Sequence, residues 1–139
     1  MSDVLTDKVI GCAIQVHKAL GPGLLENVYK QCLSYKLSKE GLFVEQEKEK
    51  PICFEDVHID CGYRIDLVIE KRLVVELKSV KTLDEVHLAQ TLTYLKLGHY
   101  PCGLLVNFNV ALLKDGIKRV IHGYPRELTT KNAEVQNEF

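Results

Sequence analysis

The sequence predicts a mixed α/β fold, a central sheet with helices on its faces. Three observations carry the prediction. Two helical stretches open the chain, strand-like segments follow with the last two joined as a hairpin, and a helix then leads to a compact apolar strand. The order reads α, α, β, β, β, α, β, β, and strands followed by a crossover helix and another strand make a mixed sheet.

Residues 5–20 read as the first helix, with Val9, Ile10, Ala13, Val16, His17 and Leu20 at helical spacing and Thr6 or Asp3 as its cap. Gly21-Pro22-Gly23 breaks it. The second helix runs from about Leu24 to Glu40 on Leu25, Val28, Tyr29, Cys32 and Leu33, and Gly41 stands where a C-terminal cap belongs. From Phe43 to Lys50 the chain is highly charged and Pro51 interrupts it, which fits an exposed or edge strand continued by Ile52 to Glu55. Gly62–Ile69 and Leu73–Val80, joined by Glu70-Lys71-Arg72, form a hairpin. Asp84–Leu97 is a helix ended by Gly98, and Cys102–Asn107 a buried strand. A C-terminal hairpin is expected from Val110–Leu113, a turn at Lys114-Asp115-Gly116, and Ile117–His122. Residues 1–125 are expected to be a single domain and 126–139 a polar, mobile tail.

At 139 residues one core suffices. The composition, 46% hydrophobic and 27% charged, is that of an ordinary globular protein. A net charge of −1 excludes a global basic field, so nucleic-acid binding has to be local or carried by bound metal ions. Cys12, Cys32, Cys53, Cys61 and Cys102 have no C-x-x-C spacing, and the expectation is reduced, partly buried packing residues. His17, His58, His99 and His122 are scattered and read as structural or surface residues. With no signal peptide or membrane-length apolar run evident, the expected compartment is the cytoplasm, without membrane contact.

The chemistry concentrates in Tyr63-Arg64-Ile65-Asp66-Leu67-Val68-Ile69 and Leu73-Val74-Val75-Glu76-Leu77-Lys78. Strand periodicity puts Glu76 and Lys78 on one face. A three-residue turn, Glu70 to Arg72, sets Asp66 opposite Glu76, whereas a two-residue turn would send Asp66 to the other face. Facing carboxylates among Ile, Leu and Val repel and are disfavoured in charged form. A hard divalent cation resolves this, and magnesium, with manganese as substitute, is commonly held by one or two carboxylates plus phosphate. Lys78 would then orient the attacking water or neutralise developing charge. An isolated E-x-K is more simply a surface pair, but the apolar neighbours and the matching Asp66 argue otherwise here. Glu26 and Tyr29 share a helix face, although Glu26 also suits a first turn on dipole grounds alone. Gln90 and Tyr94 share another face, either a solvated one or a nucleotide contact. Arg64 could contact phosphate, or pair with Glu76 or Asp66 and silence their repulsion.

Gly23-x-x-Glu26-x-x-Tyr29 resembles the signature of the small GxxExxY protein family. The series of a helical Glu, a strand Asp, E-x-K and a Q-x-x-x-Y helix is similar to the PD-(D/E)XK nuclease superfamily, in its RecB-like branch. The similarity covers roughly Leu5 to His122, with Ile65 where the motif often has Pro. It implies a restriction-endonuclease-like αβββαβ core, to which this chain adds the C-terminal hairpin. It also implies Asp66 and Glu76 as metal ligands with the carbonyl of Leu77, and Lys78 as the catalytic lysine. Glu26 would be the upstream acid, and Gln90 and Tyr94 would orient substrate, with Tyr29 and Arg64 as further substrate contacts. The expectation is a magnesium-dependent nuclease acting on nucleic acid, DNA before RNA, as a possible homodimer and with a protein partner for targeting. A catalytically silent nuclease-fold module that binds nucleic acid or a protein partner, or a structural protein on the same sheet, is the alternative.

Overall fold

The computed structural model describes residues 3–122 and the pair Val135–Gln136. Helix α1, Val4–Leu20, starts where the Asp3 carboxylate accepts the Thr6 N–H at 2.7 Å. It buries Leu5, Val9, Ile10, Ala13 and Val16 along one side. Helix α2, Glu26–Lys39, ends as its glycine foretells. Gly41 takes φ 85°, its N–H bonds to Ser38 and the N–H of Leu42 reaches back to Leu37.

Strands β1, Val44–Phe54, and β2, Val57–Ile69, form a long antiparallel hairpin. Residues 53–62 lie exposed at its far end, an arm that packs on no other layer. Strand β3, Leu73–Lys78, pairs antiparallel with β2. Ile69 faces Leu73, Val68 faces Val74 and Leu67 faces Val75, the register that a three-residue turn requires. Helix α3, Glu85–Gly98, then crosses over to β4, Cys102–Asn107, which runs parallel to β3. Strand β5, Ile117–Ile121, returns antiparallel along β4, and β6, Val135–Gln136, borders it. The sheet order is β1-β2-β3-β4-β5-β6.

The last hairpin differs in detail from the expectation. Its strands are β4 and β5, and Val110–Leu113 supplies none of them. The Val110 carbonyl instead accepts from His17 Nε2 at 2.8 Å, which ties this segment to α1, and Leu113–Gly116 forms a 3-10 turn. The tail expected at 126–139 lies outside the described residues except for β6.

Two apolar layers sandwich the sheet. One joins α1 and α2 to Leu67, Ile69, Val75, Leu77, Leu104 and Val106. The other joins Leu95 and Leu92 of α3 to Ile65, Val68, Val74 and Val120. Gly98 is the last residue of α3 rather than its cap, a role taken by His99 at φ 62°. A side chain at Gly98 would lie 2.6 Å from the Tyr100 ring, so close packing explains this glycine. All five cysteines are free. Cys12, Cys32 and Cys102 are buried or half-buried as expected, but Cys53 and Cys61 stand exposed on the arm.

Candidate metal centre

Past Leu67 and Val75 the ladder between β2 and β3 stops, and side chains replace its next rung. The backbone N–H of Asp66 donates to Glu76 Oε2 at 2.8 Å. The N–H of Leu77 donates to Asp66 Oδ2 at 2.9 Å. Each carboxylate is thus fixed by the other's strand. Because N–H and C=O of one strand residue point to the same side, the Leu77 carbonyl faces the gap that holds Asp66. The regular alternation of β2 is broken at this point. Ile65 packs on the α3 side, and Leu67, two residues on, packs with α1 and α2.

Glu76 is 3% exposed. Its carboxyl is pushed up to about 8, first by burial and then by the Asp66 charge, against the opposing pull of the Asp66 N–H, Lys78 and Lys30. Lys78 follows on the same face of β3, where its Nζ donates to Gln90 Oε1 of α3 at 3.4 Å. The carboxylates, the lysine and the glutamine therefore meet at the end of the β2–β3 pair.

The family model of the PD-(D/E)XK nuclease superfamily matches residues 3–120. The chain belongs to this superfamily. No curated protein and no solved structure matches it. The superfamily is one of nucleases that generally use divalent metal ions, and its mixed sheet flanked by helices is the fold found here.

The remaining residues that the superfamily motifs single out divide into two groups. Tyr94 joins the centre. Its ring stacks on Tyr63 at 4.8 Å, and its hydroxyl is pushed up by burial first and then by the charges of Glu76 and Asp66. Glu26 is exposed at the first residue of α2. The preceding turn is fastened to the end of β3 by the Ser79 hydroxyl, which donates to the Leu24 carbonyl at 2.7 Å. Tyr29, expected to touch substrate, does not face solvent at all. It is fully buried on Phe108, its hydroxyl donates to the Gly21 carbonyl at 2.6 Å, and it accepts the Leu24 N–H at 3.0 Å. Its work is to hold the Gly21–Leu24 turn. Arg64 pairs with neither Asp66 nor Glu76, because β1 offers it Glu49 at 3.4 Å and Glu47 at 3.8 Å.

Two residues that the sequence pattern passed over belong to the centre. Lys30 of α2, 9% exposed, bonds to Glu47 and lies 3.7 Å from Asp66 Oδ1. Its one sequence signal is the helical spacing of four from Glu26. Asn107, buried at the end of β4, clamps the chain just after Lys78, accepting from the Val80 N–H at 3.0 Å and donating to its carbonyl at 2.9 Å.

Among the described residues no three His, Cys, Asp or Glu side chains form a ready cage for a cation. Two carboxylates held together against their own repulsion nevertheless fit a magnesium-type ion, which takes oxygen ligands and completes its shell with water and phosphate. One oxygen of each is spent on a backbone N–H; Glu76 Oε1 is left to meet a cation, while Asp66 Oδ1 already has the Lys30 ammonium at 3.7 Å. The centre is defined by this charge and geometry, not by cavity size. A groove of about 390 Å³ between α1 and residues 111–114 shares no residue with it.

Proposed function

We propose that the protein is a magnesium-dependent nuclease, able to use manganese, that hydrolyses phosphodiester bonds of nucleic acid, DNA in particular. The observation that carries this reading is the reciprocal bonding of Asp66 and Glu76 at the end of the β2–β3 pair, with Lys78 beside them. Asp66, Glu76 and the Leu77 carbonyl would hold the ion. When bound, such an ion supplies charge for the phosphodiester transition state and makes water a better nucleophile. Lys78, steadied by Gln90, places an ammonium where it can orient that water or take up developing negative charge. Tyr94, stacked on Tyr63, would contact substrate, and Glu26, at the start of α2 just after the turn fastened by Ser79, would steady the ion's water shell. The Gly23-x-x-Glu26-x-x-Tyr29 signature supports placement in the GxxExxY family, and Gln90-x-x-x-Tyr94 in the RecB-like branch. The reading extends to a cytoplasmic protein, a homodimer presenting two such centres, and a protein partner for targeting. Among the described residues no helix is long and apolar enough to cross a membrane.

The alternative is a silent nuclease-fold module that binds nucleic acid or a protein. The observation in its favour is Lys30, which already sets an ammonium against Asp66. Calorimetry with magnesium and manganese on the wild type and on Asp66→Ala with Glu76→Ala decides first, with binding expected in the wild type and lost in the double variant. A screen of DNA and RNA substrates then follows. Asp66→Ala, Glu76→Ala and Lys78→Ala should each abolish cleavage while circular dichroism shows the fold retained. Cleavage by all three at the wild-type rate would overturn the nuclease reading. A wild type that binds nucleic acid without cutting it would favour the module.

A further inference from the structure

A buried lysine is rare unless paired, and buried ion pairs contribute little net stability. Lys30 is such a residue, and its placement joins three features of the centre. Its side chain is 11% exposed and reaches two carboxylates, Glu47 Oε2 in a direct bond and Asp66 Oδ1 at 3.7 Å. Glu47 lies opposite Asp66 in the β1–β2 register, between the pairs Gln46–Leu67 and Lys48–Ile65. At this position its backbone takes φ 51°, a left-handed conformation uncommon for a glutamate inside a strand. Arg64 approaches the other oxygen of Glu47, Oε1, at 3.8 Å.

We propose that Lys30 is a built-in competitor for the metal centre, occupying the cation side of Asp66, and that Glu47 is the post that draws it aside when a divalent ion binds. This rests on the metal-centre reading above. The longer of the two contacts is the one to Asp66, so the ammonium can surrender it while keeping its bond to Glu47. Lys30 is thus a positioning residue that acts through Asp66. It sets how much free divalent ion is needed to load the centre.

The test is a double-mutant cycle read by manganese calorimetry on the full chain, with Asp66→Ala as the control for binding at this centre. Lys30→Met should tighten manganese binding roughly tenfold by removing a like charge at contact distance. Lys30→Arg, which keeps the charge, should stay near the wild type. Glu47→Gln should weaken binding several-fold, because Lys30 is left with Asp66 alone. The deciding variant is Lys30→Met with Glu47→Gln, which should bind as tightly as Lys30→Met, since Glu47 acts through Lys30. Two independent charges would instead give additive effects, and additivity overturns the proposal. So does a Lys30→Met protein that folds, as judged by circular dichroism, and binds no better than the wild type. Should Lys30→Met fail to fold, Lys30→Gln carries the same expectation. Absence of manganese binding in the wild type and all folded variants would instead bring down the metal-centre reading itself.

Discussion

Glu76 bears the cost of the centre when no ion is present. Its carboxyl titrates near 8 rather than near 4.5, because burial penalises the charge and Asp66 lies beside it. An acid whose folded value is raised gives stability that is complete below the unfolded value and is lost as pH climbs through the folded one. The metal-free protein should therefore lose several kcal/mol of stability between about pH 5 and pH 8. Glu76→Gln should flatten the profile, and so should saturating magnesium, which takes the proton's place. Denaturant midpoints across this range test the expectation, and a flat wild-type profile would refute it. The juxtaposition behind this effect was legible in the sequence as one of two registers, and the observed pairing of Ile69 with Leu73 is the one that brings Asp66 and Glu76 together. Lys30 and Glu47 were not legible, because they meet only when α2 docks on the edge of the sheet, and no local pattern encodes that contact.

At the scale of the element, the Gly21–Leu24 turn shows how a motif residue can serve a site without entering it. The family resemblance implied that Tyr29, on the helix face of Glu26, is a substrate contact, yet its hydroxyl reaches back to the turn before its own helix. Tyr29→Phe keeps the stack on Phe108 and leaves the Leu24 N–H and the Gly21 carbonyl without their partner. The variant should lose about 1 kcal/mol of stability, seen as a lower denaturant midpoint, because two part-buried hydrogen bonds are lost. If the proposed nuclease is active, its cleavage should fall as well, because this turn leads into Glu26 at the start of α2 and holds the Leu24 carbonyl that Ser79 grips. An unchanged midpoint would show that the turn holds itself. Helices and buried strands were readable because one-sided burial imposes periodicity. The arm at 53–62 was under-read since exposed residues carry no such signal, and residues 110–113 passed for a strand because Val110 and Leu113 are apolar and pack into the α1–α2 layer without joining the sheet.

At the scale of the whole molecule, 18 basic residues against 19 acidic ones leave no long-range pull on a polyanion. Affinity for nucleic acid should therefore depend on divalent ions. Fluorescence anisotropy with labelled DNA should show little binding in EDTA at physiological salt, and clear binding once magnesium, or calcium as a non-cleaving substitute, is added. Tight binding in EDTA with a steep salt dependence would instead point to a basic surface formed by the fold. The fold class was legible because every element but the final strand pairing announced itself in order. The sheet keeps that order too, each strand lying beside its neighbour in the chain, with one crossover between β3 and β4. Such local pairing loses little loop entropy before contacts form and favours rapid folding. The two acids stand only ten residues apart and come together in the single step that closes the β2–β3 hairpin. Their repulsion is then an obstacle on the folding path as well as in the finished protein, and whatever relieves it, a proton or a cation, also speeds the chain's assembly.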